Sequence, residues 1–307
     1  METEGHPPVR SVTHVAFSDE SHWNVGRFRS LALLSLRYAD LPVLRQQAQA
    51  ILNDSGLAEF KWSKLRQARE RFCAIKLCSF TVDHACRGRL RADVLVWDIR
   101  DSRHDVARRD DVANLERMYY HVFENVLRTR WPADSVWLLC PDQNTAVDWA
   151  TIEHFLQRAS TTLEMRPKSL TLEQPRLSLR IDFGIESITP CDSTDAPLVG
   201  VVDLLAGLAV YSRESYDCYE VWQRLEGPQP PLFPMNEHHP VRPGKSDEER
   251  CQVLAEFNNM CKAQRLGVSL RANRGLKTYD PKNPLNFWWY EPQHEADKAP
   301  VRMTGDG

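Results

Sequence analysis

Three aspartates stand where a folded chain has least reason to put a charge. Asp19 follows the apolar run VAFS and Asp142 follows VWLLCP, while Asp203 is the only polar side chain in the thirteen-residue run LVGVVDLLAGLAV. An ionised carboxylate among apolar groups is costly unless it is paired or binds a cation. One reading is that each acid pairs with an arginine or caps a turn. That reading is weaker for Asp203, whose neighbours on every helical face are apolar. The other reading is convergence. Open α/β sheets bind ligands at the carboxyl ends of their strands. Three carboxylates meeting there would hold one or two Mg²⁺ or Mn²⁺ ions, which prefer oxygen donors. Two such ions can stabilise the attacking and leaving oxygens of a phosphodiester.

The elements that must position these acids can be read from periodicity. Residues 12–18 and 27–37 are β-prone runs joined by SHWNVG, the pattern of a hairpin. Asp40-Leu41-Pro42 opens a helix that ends before Gly56. A helical pattern follows EFKWSK to about residue 80, with Leu65, Phe72, Ile75 and Leu77 placed inward. Residues 94–97 and 136–140 read as strands, 177–188 as one or two more, and 147–159 as a helix. Residues 110–130 form a helix with Val112, Leu115, Tyr119, Val122 and Val126 on one face. Ser193 to Pro197 is a helix entry, and the helix from residue 198 to about 211 is apolar all round, hence buried.

A hairpin, then helices, then alternating strands and helices implies an α/β domain over residues 12–215. Residues 216–250 hold GPQPPLFP and HHPVRPGK and read as a proline-rich linker or loop. Residues 251–293 read as a C-terminal appendage packing on the core; residues 1–11 and 294–307 read as disordered.

The segments VAFSDES, EFKWSKL, VWLLCPD and ITPCDSTDAPLVGVVDLLAG resemble, in order, the domain-of-unknown-function 3800 family across about residues 12–212. The resemblance implies a ribonuclease H-like mixed sheet flanked by helices, and a metal-dependent nuclease or phosphotransferase. It places the first-strand acid at Asp19, the later strand-end acid at Asp142 and the helix acid at Asp203. Glu59, in the Glu-Phe-Lys-Trp segment, matches the family's mid-chain acidic motif. His22 stands where the family usually has Gly, and Val202 where it usually has Ala.

The expected activity is therefore hydrolysis of a nucleic-acid phosphodiester. Asp19, Asp142 and Asp203 would be the Mg²⁺ or Mn²⁺ ligands, Glu59 a possible fourth catalytic acid, and Lys61 the group that positions the phosphate. Residues 61–91 carry nine basic side chains against Glu70 and Asp83, in a chain of net charge −3. Lys61, Lys64, Arg66 and Arg69 of that segment are the expected substrate contacts. Residues 262–282 carry six basic side chains against Asp280. Either run also fits a solvated helix face paired with acids elsewhere. The segment NFWWY at 286–290 either stacks bases or docks the tail onto the core.

Other classes fit less well. A haloacid-dehalogenase-like phosphatase needs an acid two residues after the nucleophile, and residue 21 is Ser. The eight cysteines form no CxxC pair and read as reduced thiols of a cytoplasmic protein; Cys73, Cys78, His84 and Cys86 are the one loosely spaced zinc alternative. No apolar run reaches the roughly 20 residues of a membrane span. The alternative from another class is a non-catalytic subunit that binds nucleic acid or a protein partner. A homo-oligomer is compatible with either reading.

Overall fold

The computed structural model describes residues 11–101, 110–158, 161–165, 177–181, 184–226 and 242–291. The expected disordered ends 1–11 and 294–307, apart from residue 11, and the proline-rich stretch 227–241 lie outside the described residues.

A six-stranded mixed sheet organises the chain. Strand β1 (His14–Ser21) is flanked by β2 (Phe28–Arg37), antiparallel, and by β4 (Val136–Pro141), parallel. Strand β3 (Leu90–Asp98) lies antiparallel outside β2, and β7 (Gly184–Ile188) parallel outside β4. The strand order β3-β2-β1-β4-β7, with these directions, is a ribonuclease H-like mixed sheet. Nine of the ten residues of β2 are buried, because helices cover both faces.

One face packs against α1 (Leu41–Asp54), α2 (Ala68–Cys86), α6 (Pro197–Glu214) and α8 (Lys245–Ala263). The other packs against α3 (Asp111–Val122) and α5 (Trp149–Arg158). Local chemistry sets the helix starts. Pro197 opens α6, the Asp110 carboxylate accepts from the Ala113 N–H of α3, and Gln67 and Glu70 form a capping box on α2. Helix α6 is buried all round, as its composition requires, and it crosses β1 and β2, where Ser30 Oγ donates to Ala206 O.

Several expectations are corrected. Phe72 is 56% exposed, not inward. Helix α2 instead turns Cys73, Ala74, Leu77 and Cys78 to the core, and the Arg71 guanidinium lies over the Phe72 ring. The helix over residues 110–130 is not uniform: α3 passes through a π-helical turn (Phe123–Leu127) into the short α4 (Arg128–Arg130). The 216–250 segment is not all linker, since α7 spans Tyr216–Glu226 and α8 begins at Lys245. Nor is the C-terminal segment a mere appendage. Cys251, Leu254 and Phe257 of α8 belong to the main core, and β10 (Leu285–Trp289) extends the sheet parallel to β3. Strands β8 (Val268–Ser269) and β9 (Lys277–Thr278) form a small hairpin beside β10, and β5 (Thr161–Met165) and β6 (Leu177–Ile181) pair separately.

The basic segment 61–91 is also corrected: it is not one patch. Arg71 pairs with Glu249, and Arg91 pairs with the fully buried Asp93. Arg87 and Arg89 follow the C-terminal end of α2, whose nineteen residues span about 28 Å from the Lys64 end.

Candidate active site

The parallel register of β1 and β4 brings two of the acids together. Ser18 pairs with Pro141, and the Asp142 N–H donates to Ser18 O at 2.8 Å, so Asp19 and Asp142 leave adjacent strand ends side by side. Asp19 lies on the α6 face, as do Val15 and Phe17. Helix α6 delivers Asp203 to the same place, and after burial the charge of Asp203 is the largest influence on Asp19. The segment before α2 closes the site. The Trp62 N–H donates to Asp203 Oδ2 at 2.5 Å, and Lys61 Nζ donates to Asp142 Oδ2 at 2.8 Å.

The electrostatics are those of crowded carboxylates. Burial pushes Asp19 well above the usual carboxylate range, and Asp203, Glu20 and Asp142 push it further. Burial pushes Asp203 up to about 6; the Trp62 N–H and Lys61 oppose this, and Asp142 and Glu59 add to it. Burial acts to lower Lys61, but its bond to Asp142 and the charges of Asp19 and Asp203 outweigh it and push the ammonium up to about 12. Lys61 is therefore the internal cation of the cluster. Among the described residues, no three acid, histidine or cysteine side chains converge on one ion-sized point. That holds for the acids here and for Cys73, Cys78, His84 and Cys86, so the zinc alternative is not formed.

Glu59 stands at the edge. Its carboxylate accepts from Lys64 Nζ at 2.7 Å and Ser193 Oγ at 2.8 Å, which hold it below the usual carboxylate range. Lys64 is thereby committed to Glu59, Arg69 leans on Glu70, and Arg66 is exposed in the turn leading to α2. Of the four expected substrate contacts, Lys61 reaches the aspartate cluster and Lys64 reaches only Glu59.

The structure adds residues that periodicity did not single out. Glu20 lies on the opposite face of β1, bonded by the Tyr119 hydroxyl and by Asn144 Nδ2. A cleft of about 460 Å³ runs past Glu20, His22, Trp23, Trp62, Asp203 and Arg250. Arg250, on α8, places its guanidinium 5.6 Å from the Trp62 ring centre and 5.9 Å from that of Tyr211, and its Nε is buried without a hydrogen-bond partner. It lies 47 residues past Asp203, where no local spacing could reveal it. His22 has φ 58°, a backbone conformation that glycine adopts freely. The position where the resembled family usually carries Gly is thus a left-handed turn at the cleft's rim.

No family model matches the chain. The solved PCNA:RNase HII complex from Archaeoglobus fulgidus contains a chain with a TM-score of 0.36 and 13% identity, covering 62% of this chain and 70% of its own. That likeness is too distant to assign anything by. Two proteins of Methanothermobacter thermautotrophicus are far nearer in sequence. Uncharacterized protein ORF2′ is 37% identical over 294 residues, covering 93% of this chain and 97% of its own. Uncharacterized protein ORF2 is 36% identical with the same coverage. The chain belongs to the family of these ORF2 and ORF2′ proteins.

Proposed function

We propose that this protein is a metal-dependent nuclease that hydrolyses phosphodiesters of nucleic acid at the Asp19–Asp142–Asp203 cluster, as the resemblance to the domain-of-unknown-function 3800 family implies. The observation that carries the reading is that Asp19 of β1, Asp142 at the end of β4 and Asp203 of the buried helix α6 lie within electrostatic reach of one another, with Asp203 on the cleft. The all-oxygen donor set suits a hard divalent cation, and the mutual repulsion of the acids is what such a cation relieves. Asp19, Asp142 and Asp203 would hold Mg²⁺ or Mn²⁺, with Glu59 at the margin. The ion would supply charge neutralisation at the phosphate and a lowered pKa for the attacking water. Lys61, released from Asp142, is then placed to pair with a phosphate oxygen, and Arg250 is placed to orient the strand in the cleft.

The deciding experiment is incubation of the purified protein with a panel of DNA and RNA, single- and double-stranded, in Mn²⁺, Mg²⁺ or EDTA. Cleavage that needs the divalent ion supports the reading. One observation favours a second reading: Lys61, paired with Asp142, already supplies a cation to the cluster without metal. A protein that binds the panel, cleaves none of it and shows no Mn²⁺-dependent stabilisation is a non-catalytic binding subunit.

Two variants probe the internal cations. Lys61→Met should lower the melting temperature in EDTA, a loss of about 1–2 kcal/mol for a partly exposed pair. It should also enlarge the stabilisation by Mn²⁺, because the ion no longer competes with an ammonium. Thermal melts with and without Mn²⁺ check both signs. Arg250→Ala should weaken nucleic-acid affinity about tenfold and leave the Mn²⁺-induced melting shift unchanged. Filter binding in Ca²⁺ or EDTA reads the first, and melts read the second.

A further inference from the structure

A second groove, of about 350 Å³, lies on the other face of the sheet between β10 and the end of the α3–α4 helix. Its construction follows from strand periodicity. In β10 and the residue after it, alternate side chains diverge. Phe287 is buried on the α6 face, whereas Trp288 and Tyr290 project to the α3 face and stay partly exposed. The NFWWY segment therefore does both things its composition allowed, docking with one set of rings and presenting the other. The aromatic side chains line one wall, Leu95 and Val126 supply an apolar floor, and Arg130 and Lys277 bring two cations to the lining. The helix wall is irregular at this point: Val126 belongs to the π-helical turn at Phe123–Leu127, a distortion frequently found at functional sites. The acid beneath the groove, Asp93, is already neutralised by Arg91 through contacts of 2.6 and 2.7 Å, and Asn286 Nδ2 donates to it at 2.9 Å. The two cations at the lining are therefore available to an anion, with Glu291 at the rim as the opposing charge.

We infer that this groove binds a nucleotide, its base laid against Trp288 and Tyr290 and its phosphate held by Arg130 and Lys277. Stacking on aromatic rings tolerates any base, and a guanidinium and an ammonium are the usual phosphate partners. The volume suits one nucleotide. The nucleotide is either free or part of a strand, and the two arms of the experiment distinguish these sources.

Binding is measured in EDTA, so that the outcome does not depend on cleavage or on the carboxylates holding a metal. Adenosine monophosphate is titrated by calorimetry, and a fluorescein-labelled twelve-residue oligothymidylate by anisotropy. The expected result is binding in at least one arm, weakened about tenfold by Trp288→Ala and by Lys277→Glu. Binding of the oligonucleotide alone identifies the ligand as a nucleotide within a strand; binding of both identifies the nucleotide itself. Lys277 lies at the rim, so Lys277→Glu decides the matter if Trp288→Ala fails to fold. No binding in either arm, or binding indifferent to Lys277→Glu, overturns the inference, whatever the cleavage assay shows. Failure of cleavage with this binding intact overturns only the nuclease reading.

Discussion

Gly207→Ala should destabilise the protein by about 3 kcal/mol and disable the site, although a Gly-to-Ala change in a helix ordinarily stabilises by about 1 kcal/mol. The reason lies in the spacing along α6. Asp203, Gly207 and Tyr211 recur at four-residue steps and share one face of the helix. The Trp62 indole lies on that face. A Cβ built on Gly207 would stand 2.1 Å from Trp62 Cγ and 2.4 Å from Cδ1. Trp62 has no route of escape: it is 4% exposed and wedged against Tyr211, ring centres 5.7 Å apart. A displaced Trp62 carries its backbone N–H away from Asp203 and moves Lys61, its neighbour, off Asp142. Gly200, one heptad earlier, faces Phe60 with a milder 3.3 Å contact, so Gly200→Ala is the graded control and should cost less. Urea unfolding gives the stability difference, and the metal-dependent cleavage assay gives the functional one. A Gly207→Ala protein as stable as the wild type would show that the 60–64 segment does not depend on this contact.

The acids themselves were legible because burial makes a charge conspicuous. Asp203 interrupts an unbroken apolar run, and Asp19 and Asp142 each end one. The strand and helix order was legible for the same reason, since apolar periodicity is what a layered fold must bury. The misreadings have physical causes. Strand β3 reads as starting at Val94, but it starts at Leu90. Arg91 and Asp93 look like solvent-facing charges, yet they satisfy each other inside the sheet, and Arg91 also donates to the carbonyls of Pro281 and Lys282. The same pair explains why counting lysines and arginines overstated a basic surface. Lys61, which the sequence offers as a phosphate contact, is in the folded protein also the counter-ion of Asp142, a pairing that no local spacing reveals. Arg250 gives no sequence signal because its relation to the acids is purely tertiary, and Glu20, although next to Asp19, points to the opposite face of β1, where its partners Tyr119 and Asn144 come from distant segments. Periodicity places a residue on a face, and it cannot say which distant helix lies opposite.

Asp203→Asn should abolish metal-dependent cleavage, by about a hundredfold or more, while leaving the metal-free protein as stable as the wild type or more so. The activity loss follows if the residue holds the ion, because the amide loses the negative charge that draws a divalent cation. The stability argument follows from the sign of the titration. The Asp203 carboxyl is held at about 6, above the 3.8 of an unperturbed aspartate. The folded state therefore binds this proton more tightly than the unfolded state does. The stabilisation is full below the unperturbed value and is lost as pH rises through about 6, a span worth at most about 3 kcal/mol. Asp203 lines the cleft and is only half-buried, so water screens part of that figure. Above pH 7 the wild type without metal bears the cost of the charge and the asparagine variant does not. The asparagine Oδ1 can still accept the Trp62 N–H, so the 60–64 segment keeps its anchor. A structural role predicts the opposite sign. If Asp203 were chiefly the partner of a buried cation, removing its charge would cost about 3–5 kcal/mol. Melts from pH 4 to 8 in EDTA should show the wild-type and variant curves converging at low pH and the variant equal or higher at pH 8. Adding Mn²⁺ at pH 8 should raise the wild type and leave the variant nearly unmoved. A variant that loses several kcal/mol in EDTA yet retains the full Mn²⁺ response would remove Asp203 from the metal site and return it to the packing of α6.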